Sequence, residues 1–306
     1  MHQKANQRSG IIGSADEVTP VVLATMQDTP NPRLREVAAA FVRHMHAFAR
    51  EVKLTEAEYD IGIDFVNRIG QATHDSHNEG ILFADAIGFS TLVCLLNNGA
   101  GGASETASAL LGPFWRMNSP RTASGGSIVR SPTPGPELFV SAVVRDTGGK
   151  PVACAEVDVW QSSPVGLYEN QDDGQADMNL RGKFTTDAEG RFGFRSVKPA
   201  GYPVPTEGPV GDMLRAQKRH PYRPAHLHFL IYRSGFKTLV TQIFVDDDEN
   251  LESDVVFGVT RALVGEFRRH DSGTPPAADV KTPWFTLDAA FVMAAGEAKL
   301  PVPPIK

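Results

Sequence analysis

Two histidines separated by one residue are the clearest sign of chemistry in this chain. His226 and His228 lie in the segment RPAHLHF at 223–229. On a β-strand, residues two apart project from the same face, so the two imidazoles would converge. The residues predicted for the opposite face are all apolar: Ala225, Leu227, Phe229 and Ile231. The pattern predicts a strand that packs on one side and can bind a metal on the other, with a structural role for the histidines as the alternative.

A metal site needs more ligands, and the sequence offers no sulfur motif for them. The two cysteines, Cys94 and Cys154, form no C-x-x-C motif, and no carboxylate stands near the histidines in a motif used for zinc or ferrous iron. Tyr168 and Tyr202 both stand beside glycines in turn-like contexts, GLYE and AGYP. Taken alone, each of these tyrosines reads first as a packed aromatic side chain whose hydroxyl finds a hydrogen-bond partner.

The first part of the chain has apolar residues at helical spacing. Asn31 can cap a long amphipathic helix, and Thr55 with Glu58 can form a capping box for a second. A third apolar stretch occupies residues 81–96, and the segment NNGAGGAS after it is expected to end the helices. Residues 118–137 are dense in Pro, Ser and Gly, which indicates a long connection.

Beyond this connection the apolar period changes to two. We expect LFVSAVVRD and AEVDVWQ to pair, RGKFTTD and RFGFRSV to form a hairpin, and AHLHFLIY and TLVTQIFVD to follow as strands. The expected fold is therefore mainly β, with an antiparallel β-sandwich at 118–306 that carries the site. An α-helical N-terminal region at 1–117 precedes the sandwich.

Composition restricts the partners of the protein. The 306 residues suffice for one large domain or a domain with a smaller region. A net charge of −6 gives no basic stripe for a phosphate backbone, so we expect no nucleic-acid partner. The first seventeen residues lack the apolar core of a signal peptide, and no apolar run reaches the ~18 residues of a membrane span. We therefore expect a cytoplasmic protein without membrane insertion.

Several spaced phrases, in one order over nearly the whole chain, resemble the intradiol ring-cleaving dioxygenases. They are LGPFW at 111–115, DVWQ at 158–161 followed by GLY, RGKF with TDAEGRF, PAGYPVP, RHPYRPAHLHF and TQIFVDDD. In that family two tyrosines and two histidines bind ferric iron, Fe(III). The matching positions here are Tyr168, Tyr202, His226 and His228. Phenolate oxygens are hard anionic donors that favour ferric iron, and the metal must ionise phenols whose free pKa is about 10.

The resemblance also implies roles for residues around the iron. The substrate would bind through two adjacent ring oxygens as the catalytic Tyr202 leaves the metal, and the ring would open between the two hydroxyl-bearing carbons. Arg223 would place its fixed cation beside charge that develops on the substrate, and Gln242 would hydrogen-bond nearby. A surface ion pair is the alternative for Arg223. The pocket wall would comprise Leu82, Asp85, Leu111, Gly112, Pro113, Val204 and Val256.

Among substrates, the phrases PVGDML, HPYRPAHLHF and LGPFW resemble the hydroxyquinol branch of the family more than the catechol branch. The expected reaction converts hydroxyquinol (benzene-1,2,4-triol) and O2 to 3-hydroxy-cis,cis-muconate or its tautomer maleylacetate. The rival is catechol 1,2-dioxygenase activity, which forms cis,cis-muconate. Asp85 would accept a hydrogen bond from a third ring hydroxyl, or else face solvent. Trp115 and Arg116 depart from the family pattern and leave a substituted hydroxyquinol open as substrate.

Two other classes of protein stay open at this point. One is an iron-free, transthyretin-like binding module, in which the same tyrosines and histidines serve packing alone and the protein is colourless. The other is an interaction module that binds its partners through the N-terminal helices. The resemblance implies instead that the apolar stripe of these helices forms a homodimer interface, which in relatives can enclose lipid.

Overall fold

The computed structural model describes residues 10–75, 77–98 and 104–304. The chain divides into two compact units, one up to Asn67 and one from Arg68 onward. The predicted domain boundary at residue 118 was placed where the helical pattern ends and the strand pattern begins. That boundary stays a prediction. Residues 99–103, which belong to the glycine-rich segment predicted to end the helices, lie outside the described residues.

The first unit is helical. Its elements are α1 (Ala15–Ala24), α2 (Pro32–Glu51) and the greater part of α3 (Glu56–Ala72). The Asn31 side chain accepts N–H groups from Arg33 and Leu34 at 2.9 and 3.1 Å, which confirms the predicted cap of α2. Thr55 and Glu58 form the predicted capping box, with the Thr55 N–H donating to the Glu58 carboxylate at 2.9 Å. Helix α1 was not predicted, because Pro20 interrupts its helical pattern.

The part of the second unit that the structure describes contains three more α-helices, α4 (Glu79–Ala86), α5 (Phe89–Asn98) and α6 (Pro209–Ala216). The apolar stretch at 81–96, predicted as one element, is broken between α4 and α5. Gly88 lies there with φ of +73°, a left-handed conformation that ends a helix. Among the described residues no single helix is long and apolar enough to cross a membrane, although α4 and α5, bent by 78°, meet that test together by length and composition.

Eleven strands among the described residues form three sheets in the second unit. They are β1 (Glu137–Asp146), β2 (Glu156–Gln161), β3 (Arg181–Thr185), β4 (Arg191–Val197), β5 (Tyr202–Pro203), β6 (Tyr222–Arg223), β7 (His226–Tyr232), β8 (Leu239–Val245), β9 (Val264–Gly265), β10 (Arg268–His270) and β11 (Trp284–Met293). The sheet orders are β10-β11-β1-β4, β3-β2-β7-β8-β9 and β5-β6. The two larger sheets share one apolar core, to which Val140 and Leu287 of the first and Val159 and Phe229 of the second belong. The predicted mainly β region is thus confirmed.

The sheets are mixed, which corrects the expectation of a wholly antiparallel sandwich. Strands β1 and β11 run parallel, with Val140 opposite Leu287, and β8 runs parallel to β9. Parallel neighbours need a crossover rather than a hairpin, and the chain between β1 and β11 includes the whole five-stranded sheet. Pairing between such distant segments leaves no turn signal in the sequence.

The predicted pairing of β1 with β2 and the predicted hairpin of β3 with β4 are also wrong. Strand β1 lies between β11 and β4, whereas β2 lies between β3 and β7, so both connections pass from one sheet to the other. The turn between β3 and β4 does form, since Asp187 N–H donates to Arg191 O at 3.0 Å. However, Phe184 of β3 and Phe194 of β4 stack in the shared core with ring centroids 5.4 Å apart. The two apolar faces therefore meet across the sandwich instead of lying side by side.

Candidate active site

The two histidines lie on β7, the central strand of the five-stranded sheet. The Nε2 atoms of His226 and His228 are 3.0 Å apart, and both side chains are buried. The four apolar residues predicted for the other face all lie in the core: Ala225, Leu227, Phe229 and Ile231. The alternation of β7 therefore positions both imidazoles on the side of the strand that faces away from the core.

Two buried phenols lie against these imidazoles. Tyr168 immediately precedes a 3₁₀ segment, and Tyr202 begins β5. Their hydroxyl oxygens are 3.4 Å apart, and their rings meet edge to face at 5.4 Å. The ring of Tyr202 is 5.6 Å from that of His226, and the ring of Tyr168 is 6.4 Å from that of His228. The structure thus brings together all four residues that the sequence suggested as ligands.

The ionisation of these groups depends on burial. Burial, assisted by the positive charge of Arg223, lowers the pKa of His226 to about 3. Burial, assisted by the charges of His226 and Arg223, also holds the pKa of His228 well below its usual value. The His226 Nδ1 is 2.7 Å from the carbonyl oxygen of Pro224, which can only accept, so Nδ1 carries the proton and Nε2 presents a lone pair. Burial, together with Tyr202, raises the pKa of Tyr168 well above its usual value. Only a bound cation could ionise the Tyr168 phenol near neutral pH.

The donor set suits a hard metal ion. Within the described ranges, no group of three or more His, Cys, Asp or Glu side chains could hold a metal. Two imidazole nitrogens and two phenol oxygens, all buried, provide a different set in which the phenolates would supply the negative charge. Hard anionic oxygens beside imidazoles fit ferric iron better than a soft or thiophilic metal.

Arg223 and Gln242 border the histidines. The Arg223 side chain is only 5% exposed, so the surface ion-pair alternative is wrong. Its Nη2 donates to Gln242 Oε1 at 3.2 Å, and its Nη1 is 3.4 Å from His226 Nε2. The Gln242 Nε2 donates to Leu110 O at 2.7 Å and lies 3.3 Å from His228 Nδ1. Arg223 therefore lies against His226, and Gln242 lies against His228.

The residues suggested for the pocket wall fall into several groups. Leu82, Val204 and Val256 pack in one apolar cluster, whereas Leu111 packs against the cluster that contains Tyr168 and Tyr202. Gly112 has φ of +71°, and a Cβ there would lie 3.3 Å from the His228 ring. A side chain at that position would be strained and would press on the imidazole.

The remaining two suggested wall residues, Pro113 and Asp85, differ in exposure. Pro113 is exposed. Asp85 of α4 is half-buried, and burial raises its pKa, against the opposing effects of a hydrogen bond to Ser90 and the charge of Arg223. A carboxylate in such surroundings is stabilised by any further hydrogen-bond donor.

Several residues at the site were not suggested by the sequence reading. Asp254 pairs with Arg223, and Glu169, directly after Tyr168, pairs with the buried Arg181. Trp160 stacks on the His228 ring at 4.6 Å, with the planes only 10° apart. The sequence signal that could have revealed these buried charges is a charged residue inside or beside an apolar run, such as Asp254 in ESDVVFGV. A charged residue at such a place usually faces solvent, so the signal is weak.

Comparison with known proteins identifies the family. Residues 111–289 match the family described as Dioxygenase, and residues 31–104 match that described as Catechol dioxygenase N terminus. The chain belongs to the intradiol ring-cleaving dioxygenases and is itself an intradiol dioxygenase, which confirms the resemblance seen in the sequence.

Individual relatives include enzymes of two substrate types. A hydroxyquinol 1,2-dioxygenase of Rhizobium sp. (strain MTP-10005) is 43% identical over 277 residues, 89% of this chain and 93% of that protein. A catechol 1,2-dioxygenase of Candida albicans is 40% identical over 256 residues, 83% of this chain and 84% of that protein. The crystal structure of hydroxyquinol 1,2-dioxygenase from Pseudomonas putida DLL-E4 superimposes with a TM-score of 0.85 at 36% identity, covering 92% of this chain and 99% of that one.

Proposed function

We propose that this protein binds ferric iron through Tyr168, Tyr202, His226 and His228 and uses it to cleave hydroxyquinol with O2 between two hydroxyl-bearing carbons. The product would be 3-hydroxy-cis,cis-muconate or maleylacetate. One observation carries the proposal: the two phenol oxygens lie 3.4 Å apart beside two imidazole nitrogens 3.0 Å apart, all buried. No packing role requires four metal-binding groups to converge in this way, which argues against an iron-free binding module.

Bound ferric iron would supply a Lewis acid that favours the ionised diol and accepts electron density from it. The protein residues would supply the rest. Burial of Tyr168 and the histidines excludes water and strengthens electrostatic interactions within the site. Tyr202 and Arg223 are cross-strand partners in β5 and β6, so the guanidinium lies beside the phenol. Arg223 would stabilise negative charge on the substrate oxygens, while Gln242 holds Arg223 and His228 in place.

Hydroxyquinol is favoured over catechol by Asp85. Its carboxylate is half-buried on the helix that carries Leu82, which packs with Val204 and Val256. A third ring hydroxyl would donate a hydrogen bond to that carboxylate, whereas catechol would leave it unpaired. The hydroxyquinol relatives described above add support. Catechol and substituted hydroxyquinols are the rival substrates.

Replacement of Asp85 tests the substrate. We expect Asp85→Ala to lower kcat/KM for hydroxyquinol at least tenfold more than for catechol, since about 1.5–3 kcal/mol is typical for a hydrogen bond to a charged group. Both substrates would be assayed with the wild type and with Asp60→Ala, a variant of an exposed aspartate in the first unit. Equal losses on the two substrates would contradict the proposed contact.

Visible absorption tests the iron site. The purified protein should show a broad tyrosinate-to-iron charge-transfer band that shifts when hydroxyquinol or catechol is added without oxygen. The diol that saturates the shift at lower concentration ranks the two substrates. A protein that stays colourless after reconstitution with iron would instead support the binding module. We expect His226→Ala and His228→Ala to lose the band and the iron together.

We further propose that the protein is a homodimer through helix α2. Six large apolar residues of that helix and its end are exposed in the described chain: Leu34, Val37, Phe41, Met45, Phe48 and Val52. Exposed apolar stripes of this kind mark interaction surfaces, and this one could also hold a lipid chain. Light scattering should give a dimer mass for the wild type and a monomer for Phe41→Asp. Extraction with organic solvent and mass spectrometry would detect any lipid.

A further inference from the structure

We propose that Asp254 is a positioning residue that aims the Arg223 guanidinium at the substrate. The inference rests on the proposed function, because it assigns a role within the same reaction. Asp254 and Arg223 are both buried, and 30 residues of chain separate them. Asp254 itself would touch neither the metal ligands nor the substrate; it would act through the arginine.

The first argument is the geometry of the pair. Arg223 Nε donates to Asp254 Oδ1 and Arg223 Nη2 donates to Asp254 Oδ2, both at 3.2 Å. This two-point contact holds one edge of the planar guanidinium, and a planar group held at two points cannot rotate. The opposite tip, Nη1, is thereby directed to within 3.4 Å of His226 Nε2, one of the proposed ligand atoms.

The second argument is that Asp254 is itself held rigidly. Its Oδ1 accepts the N–H of Val256 at 3.3 Å, and its Oδ2 accepts the N–H of Gly258 at 2.9 Å. The carboxylate therefore ties Arg223 to the turn that carries Val256, a proposed pocket residue. Although burial alone would raise the pKa of Asp254, its charge interaction and hydrogen bonds with Arg223 leave it lowered, so the carboxylate is ionised at neutral pH.

The third argument is the close approach of the turn. A Cβ at position 258 would lie 2.9 Å from Arg223 Nη2 and 3.1 Å from Asp254 Oδ2. Only glycine lets the backbone N–H reach Asp254 while Arg223 keeps its place. Gly258→Ala would therefore displace the guanidinium without removing any charge, which separates orientation from charge neutralisation.

Kinetics of the iron-loaded enzyme test the proposal. We expect Asp254→Asn to lower kcat roughly 10–100-fold, because a catalytic group displaced by about 1 Å can cost that much. The dissociation constant of the diol, measured without oxygen from the shift of the absorption band, should change less than about threefold. Gly258→Ala should lower kcat in the same direction with the carboxylate intact. Asp254→Glu, which keeps the charge, should recover part of the loss.

The chain contains a matched control. Asp187 accepts N–H groups from Glu189 and Arg191, two and four residues later, and pairs with Arg191 Nε at 3.2 Å. It therefore shares with Asp254 the backbone contacts two and four residues later and a contact to an arginine Nε, but its arginine is exposed. Asp187→Asn should leave kcat and the dissociation constant unchanged.

A double-mutant cycle decides whether Asp254 acts through Arg223. In an Arg223→Gln background, Asp254→Asn should produce no further loss of kcat, since the group that it positions is gone. An equal loss in both backgrounds, or kcat within twofold of wild type for Gly258→Ala, would overturn the inference. If Asp254→Asn loses iron, Gly258→Ala alone decides. A wild type that binds no iron and converts no diol would contradict the proposed function instead.

Discussion

Two buried arginine–carboxylate pairs flank the histidines and tyrosines, and they are built differently. In the Arg223–Asp254 pair, each carboxylate oxygen accepts one guanidinium N–H. In the Arg181–Glu169 pair, one oxygen, Oε1 of Glu169, accepts from Arg181 Nε at 2.6 Å and from Arg116 Nη1 at 3.0 Å. Glu169 Oε2 and Arg181 Nη2 have no hydrogen-bond partner among the described residues. One pair holds a cation in a defined orientation, while the other leaves charged atoms without partners.

The Arg181–Glu169 pair supports the residues that pack around Tyr168. Glu169 directly follows Tyr168, and Arg181 Nη1 donates to Phe114 O at 2.6 Å. The Phe114 ring stacks on Tyr168 with centroids 4.2 Å apart. Arg181 therefore fixes both the chain next to Tyr168 and the ring packed on it. The contrast suggests two purposes for buried charge in this site: under our proposal the Arg223–Asp254 pair orients a group toward substrate, and the Arg181–Glu169 pair supports a proposed ligand.

The largest effect on stability should come from breaking the Arg181–Glu169 pair, the supporting pair. Arg181→Met leaves the buried Glu169 carboxylate with only the partly exposed Arg116 as its partner, and loss of one partner of a buried pair costs about 3–5 kcal/mol. We expect a loss of that size in the free energy of urea unfolding, together with weaker iron retention. Arg191→Met, at an exposed pair, is the control. Full stability and full iron in Arg181→Met would remove the distinction between the two pairs.

Breaking the Arg223–Asp254 pair, which orients the guanidinium, should instead affect catalysis. We expect Arg223→Gln to lower kcat about 10²–10³-fold, as is typical when a charge-stabilising donor is removed, with the iron band retained. Iron content and kcat measured side by side for Arg181→Met and Arg223→Gln would sharpen the comparison. If Arg223→Gln lost iron as readily as Arg181→Met, both arginines would have to be regarded as supports of the metal site.

The histidine pair could be predicted from the sequence because the two residues lie in one short local pattern. The histidines share a strand, and the alternation of β7 alone places them together with an apolar face behind. Tyr168 and Tyr202 depended on the family resemblance, since no local pattern joins residues 34 apart. Asp254, Glu169 and Arg181 could not be foreseen, because a charged residue is recognised as buried only when its distant partner is known.

In the fold, the positions of the strands could be predicted from the sequence, but their neighbours in the sheets could not. Strand positions follow from the period of two, and the turn after β3 follows from TDAEG. Which strands become neighbours depends on contacts across the core, such as that of Phe184 with Phe194, and on pairings of distant segments such as β1 with β11. Local turn chemistry favours a hairpin at TDAEG, and packing of the two apolar faces overrides it.

A third buried carboxylate, Asp158, extends the comparison from arginine to lysine. Burial raises its pKa from 3.8 to about 6, although Lys183 Nζ lies 3.5 Å away. Because the folded pKa is above the unfolded one, this contribution to stability is full below about pH 4 and is lost as the pH rises through about 6. Relative to Asp158→Asn, the wild type should lose on the order of 3 kcal/mol between pH 4 and 7. A pH-independent difference in unfolding free energy would show that Lys183 pairs with Asp158 as effectively as Arg223 pairs with Asp254.

The smallest effect is expected at Arg116, which with Trp115 is predicted to depart from the family pattern. Its side chain is 22% exposed and joins Glu169 to Asp177, whose Oδ1 accepts from Arg116 Nη1 at 2.7 Å. A partly solvated pair of this kind contributes about 1 kcal/mol or less, so Arg116→Gln should lower the unfolding free energy slightly and retain iron. Asp177→Asn should have a still smaller effect. Iron loss in Arg116→Gln as severe as in Arg181→Met would mean that Glu169 depends on both arginines, and that the supporting pair is in fact a triad.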